Sequence, residues 1–399
     1  MASSLQFILL SLLVFFYLSH AQTSSSNSKP KALVLPIYKD ASTLQYLTHL
    51  NLGTPSLQTT LVVDLGGRHL WVDCSSGYHS STYRPGHCGS ASCSLAKAEC
   101  GSICPSPAKP GCKNNTCTVL AKNSVFGGYL IPEVAIDTIS PRSTDGSKAG
   151  SYVSIPNFIF ALSSAFGGSF CRKFAICLPS NPKAKWCLVF GDSPYQFHPG
   201  YDTSKVVDVS SSFRYTKLVN YETTASPRLQ GAQLPEYFVK ITSILVNQKP
   251  VPINSTLLDF HKTGIGGSRI TTVQPYTTLE TSIYKSFVKV FDEQMLIVRK
   301  EDLDMSLLGF SVPDIYLVFG NRDVNWSITG ANSIVEVSND VVCLGFLDRG
   351  PNTGLTTTSI DVGAHQLQDN LLQFDVAASR LAFTSSLLLQ EVECSNFKF

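Results

Sequence analysis

The chain has 399 residues, which is enough for two domains of ordinary size with full hydrophobic cores. With 43% hydrophobic and 15% charged residues, its composition is that of a globular protein. The formal net charge is only +2, and the sequence has neither a basic stripe nor an acidic tail. These features argue against nucleic acid as a partner.

The first residues have the pattern of a cleaved secretory signal peptide. Met1 to Ala21 has an uncharged polar start, an apolar run from Phe7 to Leu18 and a small-residue exit. That run is too short to span a bilayer, and no later segment resembles a membrane span. Thr23 to Lys31 is Ser-rich and predicts a flexible start of the mature chain. We therefore expect a signal peptide over 1–21, an N-terminal segment over 22–45, and a secreted protein.

All twelve cysteines follow the predicted signal peptide, which in a secreted chain favours disulfides over free thiols or metal ligands. Six of them are concentrated between Cys88 and Cys117. A zinc site there is the alternative, but no Cys-x-x-Cys pair supports it, and no metal or cofactor is expected. The disulfide candidates are Cys74, Cys88, Cys93, Cys100, Cys104, Cys112, Cys117, Cys171, Cys177, Cys187, Cys343 and Cys394.

Three Asn-x-Ser/Thr sequons, at Asn114, Asn254 and Asn325, are candidate glycosylation sites. Glycosylation of these sites requires a secretory route, in agreement with the signal peptide. We therefore expect all three asparagines to lie in turns on the surface.

Short β-branched and aromatic runs, separated by Gly, Pro, Asn and Ser, predict an all-β protein. The clearest helical spacing of apolar residues lies in Thr281 to Met295. A segment rich in Pro, Gly, Asp and Ser, Ser193 to Asp208, is the best candidate boundary between two halves. The predicted strands are Tyr46–Leu52, Thr59–Val63, Phe158–Ala161, Tyr237–Val246, Ile315–Phe319, Val335–Val337, Val341–Phe346 and Leu371–Phe374.

One carboxylate, that of Asp64, is placed between two predicted strands. The apolar run Leu61 to Val63 leads directly into Asp64, a Gly pair follows, and a second apolar run ends at Trp71 and Val72. This is the pattern of a strand, a tight turn and a strand, which presents the carboxylate on a loop. An ordinary hairpin turn that contains an Asp is the alternative.

These residues carry a resemblance to pepsin-like aspartic peptidases. Tyr46 to Pro55, then Asp64-Leu65-Gly66-Gly67 and Leu70-Trp71-Val72-Asp73-Cys74, resembles their first active-site arm, Asp-Thr/Ser-Gly-Thr/Ser before Trp-Val-x-Cys. Ser80 to Pro85 and the cysteines from Cys88 to Cys117 resemble one plant branch. That branch comprises extracellular dermal glycoprotein, xyloglucan-endoglucanase inhibitors, xylanase inhibitors and basic seed globulins. The second half agrees over Glu236 to Tyr284, Trp326 to Ser333, Val341 to Gly345 and His365 to Phe383.

The resemblance implies a bilobal, all-β, pepsin-like fold with few short helices. Its N-terminal lobe would cover 46–200 and its C-terminal lobe 233–385, with a connection over 201–232 and a tail over 386–399. Between Ala161 and Arg172 the family carries a longer segment with a strand under the first arm, so we expect the first lobe to be shortened and loosely packed. Ile360 to Ala364 retains the corresponding strand of the second half.

The family's mechanism requires one Asp from each lobe, with one proton shared between the two carboxyl groups. The second arm, Gly264 to Pro275, contains no acid, and Gly266, Gly267 or Thr271 takes the position of the Asp, depending on where a gap is placed. Asp259 lies nearby but lacks the Thr/Ser-Gly that would aim it inward.

The first arm also departs from the family pattern. Leu65 and Gly67 replace the two hydroxyl residues, so the support that those hydroxyls give the Asp is lost. We therefore predict that Asp64 is a remnant of the catalytic pair and that the chain is not an active peptidase. An aspartic endopeptidase is the alternative that the fold alone would suggest.

Inactive members of this branch are known to block microbial glycosidases, so the resemblance implies a binder of a xyloglucan endoglucanase or xylanase. Such an inhibitor must bring a cation or a hydrogen-bond donor to two carboxylates. The relatives use an Arg or His just before the last cysteine, but here that loop is acidic and offers Gln390 and Glu391. Arg349 is a substitute charge, with an ordinary solvated Arg as the alternative. A storage-type glycoprotein of the wall or seed is the second function.

The resemblance also bears on single residues of the second half. It implies a disulfide between Cys177 and Cys394, while the family's partner for Cys343 is absent from this sequence. His365 matches a turn histidine of the family, so we expect it to be structural rather than catalytic.

Overall fold

Short β-strands are the main secondary structure of the protein. The protein was analysed as a computed structural model, which describes residues 30–67, 69–74, 78–101, 109–125, 129–163, 173–182, 186–192, 194–202, 204–219, 222–223, 232–233, 236–261, 265–301, 312–320, 324–338, 341–352 and 358–398. The predicted signal peptide lies outside these residues. Lys31–Phe399 form one compact unit. Among the described residues, no helix has the length and hydrophobicity needed to cross a membrane.

The strands of the first half are β1 Ala32–Lys39, β2 Tyr46–Leu52, β3 Leu57–Val62, β4 Trp71–Asp73, β5 Arg84–Pro85, β6 Glu99–Cys100, β7 Cys117–Thr118, β8 Ala121–Lys122, β9 Tyr129–Leu130, β10 Glu133–Ser140, β11 Arg142–Thr144, β12 Ala149–Tyr152, β13 Ile155–Ser163, β14 Lys173–Cys177 and β15 Trp186–Gly191. The remaining strands are β16 Gln196–Phe197, β17 Val207–Asp208, β18 Arg214–Val219, β19 Glu222–Thr223, β20 Ala232–Gln233, β21 Tyr237–Val239, β22 Ile241–Val246, β23 Lys249–Pro250, β24 Ser268–Ile270, β25 Thr277–Leu279, β26 Ile315–Phe319, β27 Asn325–Ile328, β28 Ile334–Ser338, β29 Val341–Leu344, β30 Phe346–Asp348, β31 Ile360–Val362, β32 Leu371–Asp375 and β33 Arg380–Phe383.

The α-helices are α1 Ala91–Leu95, α2 Thr281–Glu301 and α3 Gly330–Ser333. Short 3₁₀ helices lie at Val209–Ser212, Ser255–Leu258, Ala364–Leu367, Leu387–Gln390 and Cys394–Asn396. The all-β prediction is confirmed, and each predicted strand overlaps an observed one. The predicted helix begins at Thr281 as expected and continues to Glu301 rather than ending at Met295.

The first half is organised around β1, which pairs antiparallel with β2, β11 and β15. Its residues Ala32, Val34, Leu35 and Ile37 are buried, and because successive side chains point to opposite faces of a strand, both faces of β1 are covered. Ala32–Lys39 lies within the segment that the sequence assigned to a separate N-terminal stretch, 22–45. The bounds of that segment stay a prediction, and its apolar residues form an inner strand of the sheet that the sequence did not reveal.

One sheet continues from the first half into the second. β14 pairs antiparallel with β15 on one side and with β32 on the other, which places Phe174 opposite Phe374. The ring of Phe374 stacks on Phe174 with centroids 4.9 Å apart and lies 4.6 Å from the ring of Tyr237. Aromatic rings and a continuous ladder therefore join the two halves. The predicted lobe boundaries at 201–232 stay a prediction.

The second half repeats parallel pairings close to its active-site arm. β24 pairs parallel with β31, and β25 pairs parallel with β30. β31 is the strand expected from Ile360 to Ala364. In the first half, β4 pairs parallel with β13. A cavity of about 50 Å³ lies beside the first arm, lined by Leu35, Thr48, Leu61, Val62, Val63, Asp64, Leu65, Leu70, Phe174, Leu188 and Phe190. The expected loose packing of the first lobe stays a prediction.

Three disulfides join Cys88 to Cys100, Cys93 to Cys117 and Cys177 to Cys394, and Cys112 is also disulfide-bonded. The disulfide between Cys177 and Cys394 is the one that the resemblance implied. Three of the disulfide candidates, Cys74, Cys187 and Cys343, are free thiols, and for Cys343 the sequence lacked the family's partner.

The three free thiols lie in different surroundings. Cys74 is buried against Gly111, and Leu162 lies next to it. Cys187 is enclosed within β15, where burial raises the pKa of its thiol to about 12. Cys343 is exposed on the β28–β29 hairpin, opposite Val335. Two further candidates, Cys104 and Cys171, lie outside the described residues.

The sequon asparagines do not all lie in exposed turns. Asn114 and Asn254 are exposed. Asn325 instead begins strand β27 and is half-buried, and its Oδ1 accepts a hydrogen bond of 2.8 Å from Nη1 of Arg214. The expected surface turn at Asn325 is therefore wrong, because the residue pairs within the β26–β27 ladder. Glycosylation of the three sites stays a prediction.

We expect the double variant Cys177→Ala/Cys394→Ala to lower the free energy of unfolding by about 2–5 kcal/mol. This disulfide spans 217 residues and both cysteines are buried, so its loss frees a long segment of the unfolded chain. Urea unfolding followed by tryptophan fluorescence measures the change. Cys88→Ala/Cys100→Ala, which opens a span of only 12 residues near the surface, is the control and should cost less. An equal effect of both double variants would contradict this assignment.

Candidate functional site

Asp64 follows the last residues of β3 and is buried, with 6% of its surface exposed. Its Oδ1 accepts a 2.6 Å hydrogen bond from the backbone N–H of Gly66. A Cβ at Gly66 would lie 3.1 Å from that oxygen and 3.0 Å from Oγ of Ser124. The close approach explains why a glycine occupies this position. The sequence correctly placed the carboxylate on a turn between strands.

A threonine hydroxyl ties the two arms together. Oγ1 of Thr272 donates to the carbonyl oxygen of Val63 at 2.5 Å and accepts from the N–H of Leu65 at 3.2 Å. Thr272 is fully buried, so both bonds are shielded from water. The hydroxyl of Thr272 therefore makes hydrogen bonds between the two arms from the side of the second arm, whereas Leu65 has no hydroxyl to make them from the first.

The three candidates for the second acid position lie at opposite ends of β24. Gly266 and Gly267 precede the strand, with positive φ angles of 89° and 73°. A Cβ at Gly267 would overlap the ring of Phe260, so this glycine is required by close packing. Thr271 directly follows the strand and is buried next to Thr272, at the end that meets the first arm.

A carboxylate that the sequence did not reveal lies near Asp64. The side chain of Glu236 is only 6% exposed. If Gly66 carried a Cβ, that atom would lie 3.6 Å from Cγ of Glu236 and 3.1 Å from Oδ1 of Asp64. Glu236 precedes β21 and belongs to neither arm motif. No local pattern marks it, because it reaches the first arm only through the folding of the second half.

Glu236 is held by Arg269 in a partly buried network of charges. Nη1 of Arg269 lies 2.5 Å from Oε1 of Glu236, and its Nε and Nη2 donate to the two oxygens of Asp361 at 2.9 Å each. Asp361 also accepts a hydrogen bond from the hydroxyl of Thr358. Burial acts to lower the pKa of Arg269, but the charges and hydrogen bonds of Asp361 and Glu236 outweigh it and raise the pKa.

Arg349 belongs to the same network and is not a solvated loop residue. Its Nη1 lies 3.7 Å from Oδ2 of Asp361 and its Nη2 donates to Asn352 at 2.8 Å, with only 19% of the side chain exposed. Burial lowers the pKa of Arg349, and the nearby charge of Arg269 adds to this although Asp361 opposes it. The guanidinium of Arg349 faces a buried carboxylate, which differs from the solvated-loop alternative, and its use as an inhibitory charge stays a prediction.

In the loop before the last cysteine, Leu389 and Glu391 are exposed, and a nearby lysine partly compensates the charge of Glu391. Glu391 lies 3.7 Å from Nζ of Lys205 and accepts a hydrogen bond from the hydroxyl of Tyr201. That hydrogen bond and the charge of Lys205 lower the pKa of Glu391. Gln390 donates to Ser212 at 3.1 Å. These residues lie away from the network around Arg269, on a 3₁₀ turn of the tail.

Two further residues singled out in the sequence have structural roles. Asp259 is exposed and pairs with Lys240 at 2.9 Å, so it is not directed toward Asp64. The ring nitrogens of His365 lie 3.1 Å from Oε1 of Gln368 and 3.0 Å from the carbonyl oxygen of Ile334. These contacts link the turn at His365 to neighbouring segments, as expected for a structural histidine. No cluster of metal-ligating side chains occurs among the residues that the structure describes.

Comparison with known families matches both halves of the chain. The sequence pattern of the family described as xylanase inhibitor N-terminal matches residues 46–169. The pattern described as xylanase inhibitor C-terminal matches residues 236–385. The chain is also 42% identical to probable aspartic proteinase GIP2 of Nicotiana benthamiana, over 100% of this chain and 99% of that protein. It is 35% identical to gamma conglutin 1 of Lupinus albus, over 95% and 91% of the two chains.

Solved structures give the same grouping. The crystal structure of edgp superposes with a TM-score of 0.84 at 40% identity, covering 93% of this chain and 98% of the other. Basic 7S globulin from soybean superposes with a TM-score of 0.72 at 28% identity, covering 92% and 99%. Aspartic proteinase from Irpex lacteus gives a TM-score of 0.52 at 13% identity, covering 89% and 97%, which shows that the pepsin-like fold is shared.

We expect Arg269→Ala to lower the free energy of unfolding by about 3 kcal/mol, because it leaves Glu236 and Asp361 buried without a cation. Adding Asp361→Ala should recover part of this loss, since one uncompensated charge is removed. Urea unfolding of both variants measures the coupling. The control is Lys249→Ala, whose ion pair with Glu293 is exposed on both sides and should cost less than about 1 kcal/mol. A loss from Arg269→Ala no larger than the control would contradict the network.

Proposed function

Because this chain belongs to the plant xylanase-inhibitor-like branch of the pepsin-like fold, we propose that it is a secreted protein without peptidase activity that binds a microbial cell-wall glycosidase. Its aspartic-proteinase-like fold positions two arms that meet at Asp64. A fold of this kind does not by itself imply the reaction, because the reaction depends on two carboxyl groups in one site.

One observation supports the loss of activity: the second-arm residue that bonds to Val63 and Leu65, on either side of Asp64, is Thr272. Thr272 makes the bonds expected of the hydroxyl residue that follows the catalytic Asp, so the residue before it, Thr271, takes the position of the acid. A hydroxyl neither shares a proton with Asp64 nor polarises a peptide carbonyl as a carboxylic acid does.

Glu236 does not supply the missing acid in this proposal. The mechanism needs one carboxyl group that keeps a proton while the other is ionised. Oε1 of Glu236 is bonded to Nη1 of Arg269 at 2.5 Å, and Glu236 belongs to neither arm. Its side chain therefore serves the contact with Arg269 and does not take the place of the acid of the second arm.

We expect the purified protein to leave denatured casein uncleaved between pH 3 and pH 5. Removing one member of a catalytic group that acts as a unit typically costs 10³-fold or more in rate, and here the second acid is absent. Peptide release measured by gel and mass spectrometry should equal that of Asp64→Asn. Cleavage by the wild-type protein that Asp64→Asn abolishes would overturn the proposal.

The tail turn offers a surface for a glycosidase. Leu389 is 69% exposed, and Gln390 and Glu391 follow it immediately. Lys205 balances part of the charge on Glu391, so the turn presents an apolar side chain and an amide beside a paired acid. Recognition would then depend on apolar contact and hydrogen bonds, because this turn carries no cation to place between the two carboxylates of the enzyme.

We expect the protein to reduce the activity of a microbial xyloglucan endoglucanase or xylanase in an assay of reducing-sugar release. Leu389→Asp should weaken inhibition about 10-fold or more by removing an exposed apolar contact and adding an acid. Leu57→Asp, at a leucine that is 65% exposed elsewhere, is the matched control and should inhibit like the wild type. Equal loss in both variants would locate binding elsewhere.

A storage-type glycoprotein of the wall or seed is the second candidate function. The relatives gamma conglutin 1 of Lupinus albus and basic 7S globulin of Glycine max favour it. Absence of inhibition across a panel of folded xyloglucanases and xylanases would favour this function. Both candidates place the protein in the secretory route, as the predicted signal peptide and the disulfides also suggest.

A further inference from the structure

A cleft of about 370 Å³ opens on the first half of the molecule, away from the two arms. It is formed where the sheet divides. β1 pairs with β2 only as far as Ile37 and Thr48, and then continues beside β11, with Val34 opposite Arg142. β2 turns instead to β10, where Asn51 faces Ser140. The gap between the diverging strands becomes the cleft.

Aromatic side chains provide two flat walls of this cleft. The rings of Tyr38 and His49 are in contact, with centroids 4.8 Å apart and an angle of 34° between their planes. Tyr152 is 63% exposed, and the guanidinium of Arg142 lies over its ring at 5.7 Å. The guanidinium is also fixed by a 2.8 Å bond from its Nε to the carbonyl oxygen of Gly150. The walls are therefore held in place before any ligand arrives.

Polar groups that the protein itself does not use face the same space. In the described part of the chain, the side-chain amides of Asn51 and Gln58 and the terminal nitrogens of Arg142 have no hydrogen-bond partner. No Asp or Glu lines the cleft, so Arg142 gives it a positive charge. A ligand with several hydroxyl groups and one anionic group would satisfy these donors and acceptors.

We propose that this cleft binds a short acidic oligosaccharide, with pyranose rings against Tyr38 and Tyr152 and a ring carboxylate at Arg142. Pyranose rings have apolar faces that pack on aromatic rings and hydroxyl edges that bond to amides. A guanidinium pairs bidentately with a carboxylate. The volume lies near the lower end of the about 300–1,000 Å³ typical of ligand sites, which limits the ligand to a few rings.

The test is titration of the full-length protein with trigalacturonate and, separately, with cellotriose, followed by calorimetry. We expect trigalacturonate to bind about 10-fold more tightly than the neutral sugar, and Arg142→Lys to remove most of that preference because the fork of donors is lost. Tyr152→Ala should weaken binding of both sugars about 10-fold. Circular dichroism and thermal melting establish that each variant is folded.

Tyr215→Ala is the matched control, because Tyr215 is also exposed and also lies under a guanidinium, that of Arg380 at 5.2 Å, but outside the cleft. It should leave both affinities unchanged. Failure of either sugar to bind, equal affinity for the two, or the same loss in Tyr152→Ala and Tyr215→Ala would each overturn the proposal. Glycosidase inhibition is read separately at Leu389, so the two proposals fail independently.

Discussion

Arg269 placed between two carboxylates is the interaction on which the arrangement of the site depends. Its paired bonds to Asp361 attach the second arm to β31, and its third bond holds Glu236 beside Gly66. With the arm fixed in this way, Thr272 reaches Val63 and Leu65 across the molecule. A side chain of the second half therefore determines how the carboxylate of the first half is enclosed.

The same interaction explains how a fold of this kind persists after its reaction is lost. A peptidase must hold two carboxyl groups so close together that only one of them ionises, which costs free energy that catalysis justifies. Here a threonine stands in the second arm, and the additional acid near Asp64 is matched by a guanidinium. The charges at the centre of the molecule serve to hold segments together, and the surfaces away from the arms become the places where binding is expected.

The sequence predicted those features that repeat along the chain or lie within one motif. β-branched runs located strands such as β2 and β26, and the helical spacing located α2, because local periodicity reports burial directly. The lack of an acid between Gly264 and Pro275 was visible because it lies within one motif. The inner strand β1 was missed because the Ser-rich segment before it drew attention away from an apolar run that pairs with three other strands.

Features that depend on distant partners were not visible in the sequence. Arg269 and Asp361 are 92 positions apart, and nothing near Arg349 indicates that it faces the same carboxylate. The free thiols of Cys74 and Cys187 likewise follow from what packs against them, not from spacing. Pairing across the fold requires coordinates, because a single sequence records the residue types and not their neighbours.

The void beside Asp64 has a mechanical consequence. Empty space inside a folded chain is eliminated when the chain unfolds, so the unfolded form occupies less volume and hydrostatic pressure favours it. Leu35, Leu61, Phe174, Leu188 and Phe190 beside this cavity belong to β1, β3, β14 and β15, and Leu65 and Leu70 belong to the first arm itself. Compression would therefore loosen the molecule at that arm.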